Sequence, residues 1–161
     1  MVIFNFLSKI NNNEILFYLN NKKIYNKIIV IENKLGINKL YLKKNTLKSD
    51  KIKDRLVWIK NNFSKSNSNV LILFVFNKCA YLHPDELGNI PLFCNIFNDE
   101  LILSTDFITI LNNRKLEVSK INLTKLLFFG FSFDGNLLFK DTFITNPNRG
   151  IKISTKISYF R

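Results

Sequence analysis

Apolar and polar positions change places in short runs along this chain, and the period of each run predicts an element. VIFNFL (2–7) and EILFYL (14–19) flank a polar NNN at 11–13, which predicts a β-hairpin. In NKKIYNKIIVIENKLG (21–36) the spacing Ile24, Ile28, Ile31, Leu35 predicts a helix ending at Gly36, although IIVI (28–31) pulls toward strand. SDKIKDRLVWIKNNF (49–63) predicts a helix capped by Ser49 or Asp50, with Ile52, Leu56, Ile59 and Phe63 along its buried face. The polar SKSNSN (64–69) reads as a loop, and VLILFVF (70–76) as a strand buried on both faces, since nothing polar alternates in it.

CAYL (79–82), PLFCNI (91–96) and ELILS (100–104) predict three short strands. Ser104 or Thr105 is placed to cap a small helix through Leu111. INLTKLLFFGF (121–131) predicts a helix that stops at Gly130, with Asn122 as its cap. Beyond the Asp134-Gly135 turn and NPNRG (146–150), IKI (151–153) is expected to pair at a sheet edge. No internal repeat is visible. The elements add up to an α+β chain with a strand-rich middle.

The length of 161 residues suits one domain over 1–161, with 155–161 the start of a linker. A hydrophobic share of 47% excludes a disordered chain, which could not offset its ordering entropy. The net charge of +12 raises nucleic acid, another polyanion or an anionic membrane as partners. Arginine, which makes the bidentate phosphate and guanine contacts, occurs only at 55, 114, 149 and 161, and lysine, asparagine, isoleucine and phenylalanine are abundant together, as in AT-rich coding. Solvated lysines are therefore the preferred reading. A free-standing basic module binding nucleic acid is the alternative, and the aromatics of LLFFGF and LILFVF read as core, not as stacking platforms.

Two cysteines, Cys79 and Cys94, and one histidine, His83, are too few for a disulfide framework or an ordinary zinc site. No metal is expected, and both thiols read as small core residues. Met1–Leu7 has no basic start or small-residue cleavage site, and no run is long enough to span a membrane as a helix. A cytoplasmic protein without a membrane partner is expected. His83 near Asp85 is a weak acid–base signal, because spacing across Pro84 need not turn both toward one site.

HPDELGNIPLFC (83–94) gathers Pro84, Gly88 and Pro91 in a chain that otherwise holds little glycine or proline. The block Asp85, Gly88, Pro91, Leu92, Phe93, then Ser104, Thr105, Asp106, resembles the D-x-x-G-x-x-P-L-Y and S-S-D phrases of the glutaminase domain of the asparagine synthetase family. NKKIYN (21–26) looks like that family's N-G-E-I-Y-N, and LLFFGF through IKI like the stretch before its interdomain linker. The resemblance implies an N-terminal-nucleophile hydrolase fold, an αββα sandwich of two mostly antiparallel sheets flanked by helices and shortened at the N-terminus.

It also implies roles. Asn21 would correspond to the oxyanion-stabilising asparagine and Asp85 to the aspartate that holds the α-ammonium of glutamine, both vestigial here, while Gly88 and Pro91 form the turn motif. No catalytic residue is carried over. The family's nucleophile is an N-terminal cysteine exposed by Met removal, and position 2 is Val2, followed by Ile3 and Phe4. Lys22 stands where the family has glycine, and Pro84 where it has arginine. No cofactor is implied for this domain. ATP and Mg²⁺ would belong to a partner ATP-dependent synthetase domain or subunit, whose S-G-G-x-D-S loop does not occur here. A homodimer is compatible with the resemblance.

Overall fold

The computed structural model describes residues 5–11, 14–34, 37–47, 51–63, 70–76, 78–85, 87–98, 100–131, 135–147, 149–154 and 157–160. It is an α+β structure with two antiparallel six-stranded sheets and three helices among these residues. The chain divides into two compact units. One comprises 1–2, 24–90 and 147–161; the other comprises 3–23 and 91–146.

The sheet of the first unit contains β4 (Lys27–Lys34), β5 (Ile37–Lys44), β6 (Val70–Val75), β7 (Ala80–His83), β11 (Gly150–Ile153) and β12 (Ile157–Phe160), in the order β12-β11-β7-β6-β4-β5. Its centre is the VLILFV run, buried at every position of β6. Beside it, Ile28, Ile29, Val30 and Ile31 of β4 are all buried too. This corrects the helix expected over 21–36. A helix would leave Ile29 and Val30 off the apolar face, whereas a central strand buries both sides of a β-branched run. Asn26 at φ +44° also breaks any helix across that stretch. Leu35 and Gly36 lie outside the described residues. IKI is not an edge either: β11 has β7 on one side and β12 on the other.

Helix α1 (Ile52–Asn62) lies on one face of this sheet, where Ile28, Val30, Val70, Ile72, Phe74 and Tyr81 form a buried cluster. The face it turns inward is the expected one only in part. Trp58, Ile59 and Phe63 pack on the cluster and Arg55 is buried, while Ile52 and Leu56 are exposed. Trp58 meets Phe74 edge-on at 5.4 Å between ring centres. The N-cap is Lys51, which gives no side-chain cap bond. The expected caps Ser49 and Asp50 lie outside the described residues.

The sheet of the second unit contains β1 (Asn5–Asn11), β2 (Glu14–Leu19), β3 (Lys22–Ile24), β8 (Phe93–Phe97), β9 (Glu100–Ser104) and β10 (Thr142–Ile144), in the order β10-β8-β9-β1-β2-β3. The expected hairpin is present: Phe6 pairs with Leu19 and Ser8 with Phe17. Alternation puts Phe6, Ser8, Phe17 and Leu19 inside, with Phe6 stacked on Phe17 at 5.7 Å. Asn20 and Asn21, at φ +46° and +65°, form the two-residue link from β2 to β3, the geometry of a type I′ turn.

Helix α2 (Phe107–Asn113) is capped by Asp106, whose carboxylate accepts from the N–H groups of Ile108 and Thr109. Ser104, expected as a cap, instead accepts from the Asp106 N–H at 3.1 Å and so sets the capping residue. Helix α3 (Lys120–Phe129) is capped by Ser119, which accepts from the Asn122 N–H. Asn122, expected as the cap, donates from its side chain to the Leu137 carbonyl at 2.6 Å. Gly130, at φ +75°, ends the helix with its N–H on the Leu126 carbonyl, as its sequence position predicts. The LLFFGF segment corrects a second expectation. It is not core: Leu126, Leu127, Phe128, Phe129 and Phe131 are all exposed.

Candidate functional site

The turn-rich stretch begins where β7 ends. Asp85 is buried, and its carboxylate organises the loop that follows. Oδ1 accepts from the Leu87 N–H at 3.3 Å and Oδ2 from the Ile90 N–H at 3.0 Å. Its carbonyl accepts from the Gly88 N–H at 3.1 Å. A carboxylate bonded to backbone N–H groups two and five residues on makes an extended Asx-type turn. Gly88 sits at φ +69°, and a Cβ there would meet Pro147 Cγ at 3.4 Å. That contact would be an ordinary one, so it is the positive φ that calls for glycine. Ile90 and Leu92 then drop into the interior, and Pro91 between them is exposed. Asp85 thus acts on its own loop through both oxygens.

Asn21 is exposed and occupies the second position of its turn. Lys22, which stands where the resemblance has glycine, opens strand β3 and is not among the described residues of positive φ. The left-handed conformations fall one and two residues earlier, on Asn20 and Asn21.

His83 ends β7 on the side that faces α1. Its Nε2 accepts from Arg55 Nε at 3.3 Å, and its ring meets Phe74 edge-on at 5.6 Å. Arg55, 2% exposed, lays its guanidinium 3.7 Å from the Tyr81 ring centre. Lys152, the register partner of Tyr81 on β11, brings its ammonium within 5.5 Å of the same ring. Burial first, and the Arg55 charge second, lower the His83 pKa to about 4. The imidazole is therefore neutral at pH 7, with its proton on Nδ1 and its Nε2 lone pair already taken by arginine. A ring so engaged holds α1 against the sheet; it is not poised to take a substrate proton.

Arg55 gives little warning in sequence, where it appears as one charge in an amphipathic helix. The usable signal is its place three and four residues before Trp58 and Ile59, which share its face. The two thiols differ in exposure, Cys79 being half-buried and Cys94 buried. Cys94 is buried in β8, and burial raises its pKa well above the ordinary value, so it remains a thiol. Cys79 precedes β7 and packs beside the Phe74 and Tyr81 cluster. Among the described residues, no three His, Cys, Asp or Glu side chains converge as metal ligands do.

No helix among the described residues is long and apolar enough to cross a membrane. No protein-family model matches the chain, and no curated protein matches its sequence.

Proposed function

We propose that this chain is a glutaminase-like domain without hydrolytic activity, serving an ATP-dependent amide-bond-forming enzyme of the asparagine synthetase kind, either as part of it or as a separate subunit. One observation carries the reading: residues 85–106 follow the family's order of parts. A buried aspartate closes a loop through Gly88, the chain runs on through Pro91-Leu92-Phe93 into the β8–β9 hairpin, and Ser104-Thr105-Asp106 starts a short helix. Two antiparallel sheets with helices are compatible with the αββα sandwich that this reading implies.

The silence follows from chemistry. Cys94 is held as a thiol, and the Nε2 of His83 is bonded to Arg55. Asp85 and Asn21 keep residue types that once served glutamine and now form turns. The role is structural or substrate-recruiting, with ATP and Mg²⁺ held by the synthetase partner. Incubation with glutamine is expected to release no glutamate above the buffer rate. Turnover that a substitution in this chain abolishes would overturn the reading. A continuing reading frame, or a neighbouring gene, that encodes an S-G-G-x-D-S loop is the corresponding genetic expectation.

A further inference from the structure

Four strands end the two sheets among the described residues, and three of them are short: β3 and β10 have three residues each and β12 has four. The fourth, β5, runs for eight residues with β4 on one side only. A long edge presents a row of unused N–H and C=O groups to other chains, and short edge strands are a common protection against that. The side chains along this row are open as well. Leu42 and Tyr41 are 54% and 41% exposed, and Lys39, Lys43 and Lys44 are exposed too.

We infer that β5 is a docking edge, at which an extended acidic peptide segment of a partner protein adds as a further strand to the first unit's sheet. The groups that would receive it follow from the register. The Asn45 N–H donates to the Asn26 carbonyl at 2.9 Å, so the next pair, Lys44 with Lys27, is a non-hydrogen-bonded one. Counting by twos, Asn38, Leu40, Leu42 and Lys44 aim their N–H and C=O groups away from β4. Donors and acceptors that recur at two-residue steps match another extended backbone, the mode of recognition by strand addition. A nucleic acid has no such ladder to offer.

The charges say which backbone. Residues 33–49 hold five lysines and no acid. Lys39 has Glu32 opposite it on β4, but Lys44 has Lys27, and side chains of a non-hydrogen-bonded pair stand close together. Like charges directly opposite destabilise a ladder, and an acid beside Lys44 relieves them. Lys43 sits at the same end, its ammonium 5.5 Å from the Trp58 ring centre. A second copy of β5 would bring the same lysines and be repelled. The segment that fits therefore carries two acids beside Lys43 and Lys44, and apolar residues beside Leu40, Tyr41 and Leu42. This inference goes beyond the proposed function and does not depend on it.

The test is fluorescence anisotropy of two labelled peptides, S-D-E-V-Y-V-T-S for antiparallel addition and its reverse S-T-V-Y-V-E-D-S for parallel, titrated with the 161-residue chain to submillimolar concentration. Saturable binding of one of them is expected. Lys43→Glu combined with Lys44→Glu should weaken it at least ~10-fold. Both lysines are exposed, so the variant should keep the circular dichroism spectrum and melting temperature of the parent. N-methylation of the peptide backbone needs no change in the protein. Blocking one alternate set of N–H groups should weaken binding at least ~10-fold and blocking the other set should leave it nearly unchanged, since only every second group faces β5. No binding of either peptide overturns the inference, as does binding that survives the charge reversal. Equal effects of the two methylation sets show attraction by charge alone and overturn it equally. So does an oligo-dT strand that binds where neither peptide does and is lost in the same variant, which assigns the edge to nucleic acid.

Discussion

His83 makes stability depend on pH between 6.5 and about 4. It is the chain's one histidine, so its contribution can be isolated. In the folded state its pKa is lowered to about 4, against 6.5 for the unfolded chain. The unfolded state therefore binds the proton first as pH falls. A depressed pKa contributes stability that is fully present above pH 6.5 and lost on the way down to 4. At about 1.4 kcal/mol per unit, the full loss is about 3 kcal/mol, of which about 2 kcal/mol is gone by pH 5. Glu100 does not confuse the upper part of the window. Burial would raise its pKa, but hydrogen bonds from Lys9 and Arg114 hold it below the ordinary 4.5, so its own acid loss begins lower.

The assay is urea unfolding at pH 7.5, 6, 5 and 4.5, on the parent and on His83→Gln, whose amide oxygen can still accept from Arg55. The parent should lose about 2 kcal/mol between pH 7.5 and 5, and the variant should stay nearly flat. The imidazole proton signal of the parent gives the folded midpoint directly. A midpoint near 6.5, or parallel pH profiles for parent and variant, would show that the ring is neither desolvated nor set against the guanidinium as described.

Four further outcomes follow from the geometry. Arg55→Ala should destabilise the chain by about 2–4 kcal/mol in denaturant melts, since it empties a buried volume and leaves the His83 acceptor without that donor. The same substitution should raise the His83 midpoint only part of the way to 6.5, because burial is the larger cause of its shift. Asp85→Ala strands the Leu87 and Ile90 N–H groups and should cost about 1–3 kcal/mol, with Asp85→Asn milder; equal melting temperatures for all three would refute the loop assignment. Under native conditions a chromogenic disulfide reagent should leave Cys94 unreacted until the chain unfolds, read by mapping the labelled peptide.

Legibility in the sequence followed the nature of each signal. The VLILFV strand, the hairpin of β1 and β2, and the Gly130 stop were readable because local chemistry alone specifies them. The 21–36 stretch was misread because four apolar residues at helical spacing coexist with a β-branched run, and the neighbouring β5 and β6 decide between them. For α1 the extent and the Ile59 and Phe63 part of its inward face were readable, and the burial of Arg55 was not. An arginine covered by Tyr81 and His83 behaves as an apolar residue only once those partners are in place. The LLFFGF run misled differently: local sequence says that a segment is apolar, not that its own chain covers it. At the candidate site, turn chemistry at Asp85 and Gly88 was legible, while any ligand role rests on resemblance.

Among the described residues, Asn20, Asn21, Asn26, Asn98 and Asp141 hold positive φ, beside glycines 88, 130 and 135. Asparagine enters the left-handed well more readily than other side chains, through local bonds of its own amide. A coding bias that favours asparagine over glycine can then erode the letters by which a loop is recognised while the path of the chain persists. In such proteins ancestry is better sought in where the backbone reverses than in which residue stands at the reversal.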